Sequence, residues 1–125
     1  MNKTITTLGG KKIDLNPADV GTMEQLEEAV KVSSKAFQEL SKKIAKMTDN
    51  DVDIKVLRTM CMTVRAFTDK VFGDGAANKL FGDSLDVEEL VTFYGDVLTA
   101  FDEEGDRLTG VLTKMWNIGG KDDSK

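Results

Sequence analysis

Apolar residues recur along most of the chain with the spacing of amphipathic helices. In the first third, the steps alternate between three and four residues, which is the heptad spacing of a helix packed on another helix. We expect this helix over about residues 22–48, started by a capping box in which Gln25 reaches back to Thr22. A partner helix within the domain is favoured, and self-association through this helix is the alternative. The row comprises Met23, Leu26, Val30, Ser33, Phe37, Leu40, Ile44 and Met47.

Two further apolar rows predict long helices over about residues 52–72 and 85–116. The inner face of the earlier helix comprises Leu57, Met60, Cys61, Val64, Phe67, Thr68 and Val71. We expect the later helix to start at Ser84 or Asp86. Its apolar row comprises Val87, Leu90, Val91, Tyr94, Val97, Leu98 and Phe101, and the row continues with Leu108, Val111, Leu112 and Met115. Glycine costs about 1 kcal/mol in a helix interior, so Gly105 marks a weak point. Because the row keeps its phase across that point, we expect one long helix.

The segment VFGDGAANKLFGD, residues 71–83, contains the triplet Phe-Gly-Asp twice. We expect each triplet to end one helix and start another. The glycine, Gly73 or Gly82, would adopt a positive φ just past a helix end, and the following aspartate would cap the next helix. A short helix over about residues 75–81 would lie between the two triplets.

Residues 3–15 alternate apolar and polar side chains around Gly9-Gly10, which predicts a β-hairpin with a two-residue turn. The predicted fold is therefore mainly α: an antiparallel helical domain with long amphipathic helices, a short central helix and a small N-terminal β-hairpin. We expect a single domain over residues 1–118 and a disordered tail over residues 119–125.

The net charge of −5 is concentrated in residues 73–110, which hold ten acidic and two basic residues. A solvated helix face is the favoured interpretation of this segment, and attraction of a basic partner is the alternative. No basic patch indicates nucleic-acid binding, and the apolar runs are too short for a membrane span. The single cysteine, and an N-terminus without an apolar signal segment, suit a cytosolic location.

Catalytic chemistry finds little support in the sequence. The chain has no histidine, which excludes histidine-based catalytic pairs and histidine metal sites, and Cys61 is interpreted as a small buried hydrophobe. A calcium loop starting at Asp49 fails at Ile54 and Met60, where glycine and glutamate are required. A dinucleotide loop starting at Gly73 fails because it follows a helix instead of a strand. We therefore expect no enzyme activity, no cofactor and no metal.

Four side chains are candidate contacts for a partner protein: Phe72, Leu80, Phe81 and Trp116. Phe72 and Phe81 flank the glycine-rich corner, where they either close the core, which is the favoured interpretation, or edge a groove for a partner helix. Trp116 is either a core side chain or an exposed anchor.

The segments TMEQLEEAVKVSSKAFQEL, TVRAFTDKVFGDGAANKLFGD and VEELVTFYGDVL occur in an order that resembles a family of small helical proteins from tailed phages and Gram-positive prophages, of the tail assembly chaperone type. The resemblance covers about residues 13–115 and is most specific over residues 69–82. It implies a non-catalytic protein of the host bacterial cytoplasm that keeps the tape measure protein soluble while the tail assembles. Relatives often end in a basic tail, whereas this chain ends in KDDSK.

A second hypothesis from another functional class is an acidic regulatory module of a phage, which would occupy a basic groove on a host protein. Salt dependence distinguishes the two hypotheses. Binding of a helix through apolar contacts should persist at high salt, whereas binding through the acidic segment should weaken steeply.

Overall fold

The computed structural model describes residues 3–46 and 53–119, with the backbone alone for residues 116–119. Two strands and four helices follow one another along the chain: β1 (Lys3–Thr6), β2 (Lys12–Leu15), α1 (Val20–Ile44), α2 (Ile54–Phe72), α3 (Ala76–Phe81) and α4 (Val87–Gly119). The strands pair antiparallel, and helices make up most of the structure. The expected fold class is confirmed. No helix in the described ranges is long and apolar enough to cross a membrane.

Helix α2 lies at the centre and packs against α1, α3 and α4. Its buried row follows the predicted inner face closely, with Val64 and Thr68 fully buried. Val56 is also buried, one residue before the predicted row begins. The core residues that surround α2 are apolar side chains of the hairpin, α1, α3 and α4: Ile5, Leu15, Ala29, Ala77, Leu80, Phe81, Leu90, Phe93, Val97 and Ala100.

Turns around α3 return the chain to the middle of α2. The Cys61 thiol donates to the carbonyl of Leu85 at 3.2 Å, and the Arg65 guanidinium donates to the carbonyls of Gly82 and Ser84 at 2.7 and 3.0 Å. Helix α4 therefore starts beside the middle of α2.

The predicted positive φ angles are present at the corner, but the predicted aspartate caps are not. Gly73 has φ 107° and Gly82 has φ 56°, and each is the C-cap of a helix. Asp69, in the last turn of α2, accepts from the backbone N–H of Ala77 at 2.8 Å, and Asp86 accepts from Glu89 at 3.0 Å. These two aspartates occupy the positions from which a carboxylate reaches the free N–H groups of the next helix, so Asp74 and Asp83 do not have the predicted role.

Three further boundaries differ from the sequence predictions. Asp19, and not Thr22, is the N-cap of α1: its carboxylate accepts from the Thr22 backbone N–H at 2.8 Å, so the helix starts two residues early. Asp53 caps α2 in the same way. The hairpin turn is longer than two residues, because the Thr7 N–H bonds the Lys11 carbonyl at 2.8 Å across the loop. Gly10 in that loop has φ 89°, which suits a three-residue turn that ends in a left-handed glycine.

Helix α4 is continuous through Gly105, as predicted, but one of its acids is buried. Glu104 is 2% exposed, although its neighbours Glu103 and Gly105 face solvent. Arg107 donates to both carboxylate oxygens of Glu104, through its Nε at 3.0 Å and through a terminal nitrogen. This hydrogen-bonded pair lowers the pKa of Glu104 and raises that of Arg107. The expectation that all acids of this segment lie on the surface was wrong for Glu104.

The apolar row of α1 packs inside the domain along part of its length. Ser33 and Leu40 are buried and Phe37 is half-buried, whereas Ile44 is 46% exposed. Met47, the last member of the predicted row, the end of the predicted helix at residue 48, and tail residues 120–125 lie outside the described residues. Gly119, which was expected to begin the tail, is the last residue of α4.

Candidate functional site

A groove runs between α1 and α2 on the surface of the domain. It has a volume of about 700 Å³, and we call it the α1–α2 groove. Small and apolar side chains form most of its surface: Ala29, Val32, Ser33, Ala36, Thr59, Met62, Thr63, Ala66 and Phe67, with Glu28, Arg58 and Lys70 as the charged lining residues.

The floor of the α1–α2 groove is buried and its walls are exposed. Ala29, Ser33 and Phe67 on the floor are each no more than 3% exposed. Val32 on the α1 wall is 63% exposed and Met62 on the α2 wall is 49% exposed. Apolar side chains with this much exposure on facing walls gain free energy when a ligand covers them.

Tyr94 of α4 supports the floor from beneath. Its hydroxyl lies 2.8 Å from the Ser33 Oγ, and its ring makes edge contacts with Phe37 and Phe67 at centroid distances of 5.1 and 4.7 Å. One side chain thus joins α1, α2 and α4. Because a fixed floor holds the two walls apart, we expect the groove to exist before any ligand binds.

The partner contacts predicted from the sequence lie elsewhere. Leu80 and Phe81 are 5% and 7% exposed, and Phe72 is half-buried. Phe93 of α4 brings two of them together, with ring centroids 6.0 Å from Phe72 and 5.2 Å from Phe81. Phe81 closes the core at the corner, whereas Phe72 and Leu80 line a small surface pocket of about 310 Å³ beside the hairpin. The side chain of Trp116 lies outside the described residues.

One signal of the α1–α2 groove is visible in the sequence and was overlooked. Half of its lining residues are alanine, serine and threonine, which do not stand out in an apolar pattern. Val32 and Met62 do stand out, since each is a large apolar residue that lies off the predicted inner face of its helix. Apolar residues on a solvent face are the sequence signature of such a surface.

The structure places Cys61 deep in the core, as the sequence predicts. Burial, together with the nearby Asp86 carboxylate, raises the pKa of the thiol, which therefore stays protonated and is a weak nucleophile. Within residues 3–46 and 53–119, no three His, Cys, Asp or Glu side chains converge as a metal site would require. The geometry of the α1–α2 groove suits the binding of an apolar surface.

Comparison with known proteins places this chain in a family and gives no function. No curated protein matches the sequence, and no solved structure matches the fold. The model of a family of unknown function, DUF6673, matches residues 9–117, from the hairpin loop to the last turn of α4. Since the match spans most of the 125 residues, the chain belongs to the DUF6673 family.

Proposed function

We propose that this protein is a non-catalytic binding protein that holds an amphipathic helical segment of a partner in the α1–α2 groove. The observation that supports this proposal most directly is the groove itself, which has a buried floor and exposes Val32 and Met62 on its two walls. A helix laid against two helices completes a three-helix contact, which is a common way for an amphipathic segment to bury its apolar face.

The resemblance to tail assembly chaperones suggests the partner. We propose that the protein acts in the bacterial cytoplasm during phage tail assembly, and that the bound segment belongs to the tape measure protein. A long helical protein that is made before its tail tube exposes apolar helix faces, and these faces promote aggregation. A small chaperone with a preformed apolar groove would cover one such face, and its net charge of −5 would keep the complex soluble.

Co-expression tests the proposal directly. We expect the tape measure protein to be insoluble when expressed alone, and soluble and co-purified when expressed with this protein. The groove variant Val32→Gln/Met62→Gln should lose this effect. Glutamine is an adequate helix former, so the exposed positions should tolerate it without unfolding.

A matched control uses apolar residues outside the groove. Val20→Gln/Ile54→Gln changes one valine on α1 and one large apolar residue on α2, at positions that are 67% and 78% exposed. This variant should behave like wild type. If wild type leaves the tape measure protein insoluble, the chaperone role is wrong. If the groove variant works as well as the control, binding uses another surface.

The acidic regulatory module remains the competing proposal. Exposed acids on α4, such as Asp96 and Asp102, would carry that function. Binding that weakens steeply with salt, and that is unaffected by Val32→Gln/Met62→Gln, would favour it over the groove.

A further inference from the structure

Two cations mark the ends of the groove wall formed by α2. Arg58 and Lys70 are both exposed and both line the groove, with the uncharged residues Thr59, Met62, Thr63 and Ala66 between them. Twelve residues separate the two cations, which corresponds to about 18 Å along a helix axis. Neither cation forms an ion pair with a residue in the described part of the chain.

The surroundings of the groove strengthen this positive charge. Lys31 and Lys35, together with Glu39, line a shallow depression beside the α1 wall that shares Val32 and Ala36 with the groove. The acids of α4 lie on the other side of the floor, since Tyr94 reaches Ser33 from beneath and no α4 residue lines the groove. In a chain with a net charge of −5, the charged residues that line the groove, Glu28, Arg58 and Lys70, thus carry a net charge of +1.

We propose that the segment bound in the α1–α2 groove is an acidic amphipathic helix. Its apolar stripe covers about three turns between Val32 and Met62, and an acidic residue at each end of the stripe faces Arg58 or Lys70. Residues 11 apart return to the same face of a helix and lie about 17 Å apart, which matches the separation of the two cations. This inference rests on the proposed function and specifies the chemistry of the partner.

Two synthetic helical peptides test the inference. They share one apolar stripe and differ only at two positions 11 residues apart, which hold glutamate in one peptide and lysine in the other. Affinity is measured by fluorescence anisotropy with the full chain. We expect the glutamate peptide to bind at least about tenfold more tightly near physiological salt, as two exposed charge pairs allow. The preference should shrink in 1 M salt, where the Debye length falls to about 3 Å.

Charge reversal on the protein gives the complementary test. Arg58→Glu/Lys70→Glu should shift the preference toward the lysine peptide. Lys79→Glu/Lys114→Glu makes the same change in net charge at exposed positions outside the groove, and it should leave the preference for glutamate in place. A preference that follows net charge in both variants would overturn the assignment of Arg58 and Lys70.

The outcomes separate this inference from the proposed function. Equal binding of both peptides, with loss of both in Val32→Gln/Met62→Gln, overturns the preference for acid and leaves the helix-binding groove intact. Tighter binding of the lysine peptide to wild type also overturns the preference. Binding of neither peptide at millimolar concentration overturns the groove as a helix site, and the acid preference with it.

Discussion

Alanine substitution at the two glycine C-caps should destabilise the protein through the backbone alone. Gly73 has φ 107° and ψ 158°, and Gly82 has φ 56° and ψ −129°, which are conformations that residues with a side chain strongly avoid. Apart from the adjacent residues, a Cβ at either position would meet no heavy atom within 4 Å, so clashes with the rest of the structure add nothing to the local backbone strain.

The expected cost follows from that geometry. Holding an L-residue in such a region costs about 1–3 kcal/mol. For a domain whose free energy of unfolding is about 5–15 kcal/mol, this is a large fraction of the total. With a urea m-value of about 1–3 kcal/mol/M, each substitution should lower the unfolding midpoint by about 1 M.

Gly95→Ala is the matched control, with an effect of opposite sign. Gly95 is an exposed residue inside α4, and a Cβ there would also meet no heavy atom within 4 Å. Alanine is favoured over glycine in a helix by about 0.5–1 kcal/mol, so this variant should be more stable than wild type. Urea unfolding followed by circular dichroism measures all three variants. Wild-type midpoints for Gly73→Ala and Gly82→Ala would refute the assigned backbone conformations.

Three other substitutions or reactions test the interior. Tyr94→Phe removes the hydroxyl that forms a hydrogen bond with Ser33, and it should lower the free energy of unfolding in urea by about 1 kcal/mol. A double-mutant cycle with Ser33→Ala that shows no coupling energy would contradict the contact. Because the pKa of Glu104 is lowered, its pairing with Arg107 stabilises the fold fully above the ordinary carboxyl pKa of 4.5, and this stabilisation is lost as pH falls through the lower pKa of the folded state. Glu104→Gln should therefore lose less stability than wild type in acid. An unchanged dependence of stability on pH would count against the pair. Cys61 should react with a thiol reagent only slowly until denaturant is added, and rapid reaction of the native protein would show that the thiol is accessible.

Periodicity predicted the elements well because the helices are long and amphipathic. The row of α2 was correct, and the glycine corner was recognised because only glycine adopts the required backbone conformations readily. Caps were harder to predict. Asp86 was one of the two expected starts of α4, whereas Asp19 and Asp69 cap α1 and α3 in place of the expected Thr22 and Asp74.

The buried face of α4 is rotated about the helix axis relative to the face that the sequence predicted. Phe93 is 1% exposed but was left out, whereas Val91 was included and is 37% exposed. Phe93 lies three residues after Leu90 and four before Val97, so the spacing contained the signal. The hairpin packs on α4 beside α2, and this second contact places Ala100 and Glu104 in the buried row. Periodicity along one helix does not show how many neighbours that helix will have.

The groove could not be predicted from apolar pattern alone. Its shape depends on small side chains such as Ala36 and Ala66, and its floor depends on Tyr94, which comes from a helix distant in the sequence. The separation of the α4 acids from the groove likewise appears only when α4 is placed behind α1 and α2.

The hairpin is held by residues that are synthesised long after it. Gly9 bonds the Glu89 carboxylate, and Lys3 pairs with Glu103, across separations of 80 and 100 residues. A two-stranded hairpin is marginal by itself, and ribosomes add about 5–20 residues per second. The hairpin therefore leaves the ribosome seconds before the α4 residues that fix it. Its docking on α4 has to wait until Glu89 and Glu103 have been synthesised, so an element that is made early is fixed in place late.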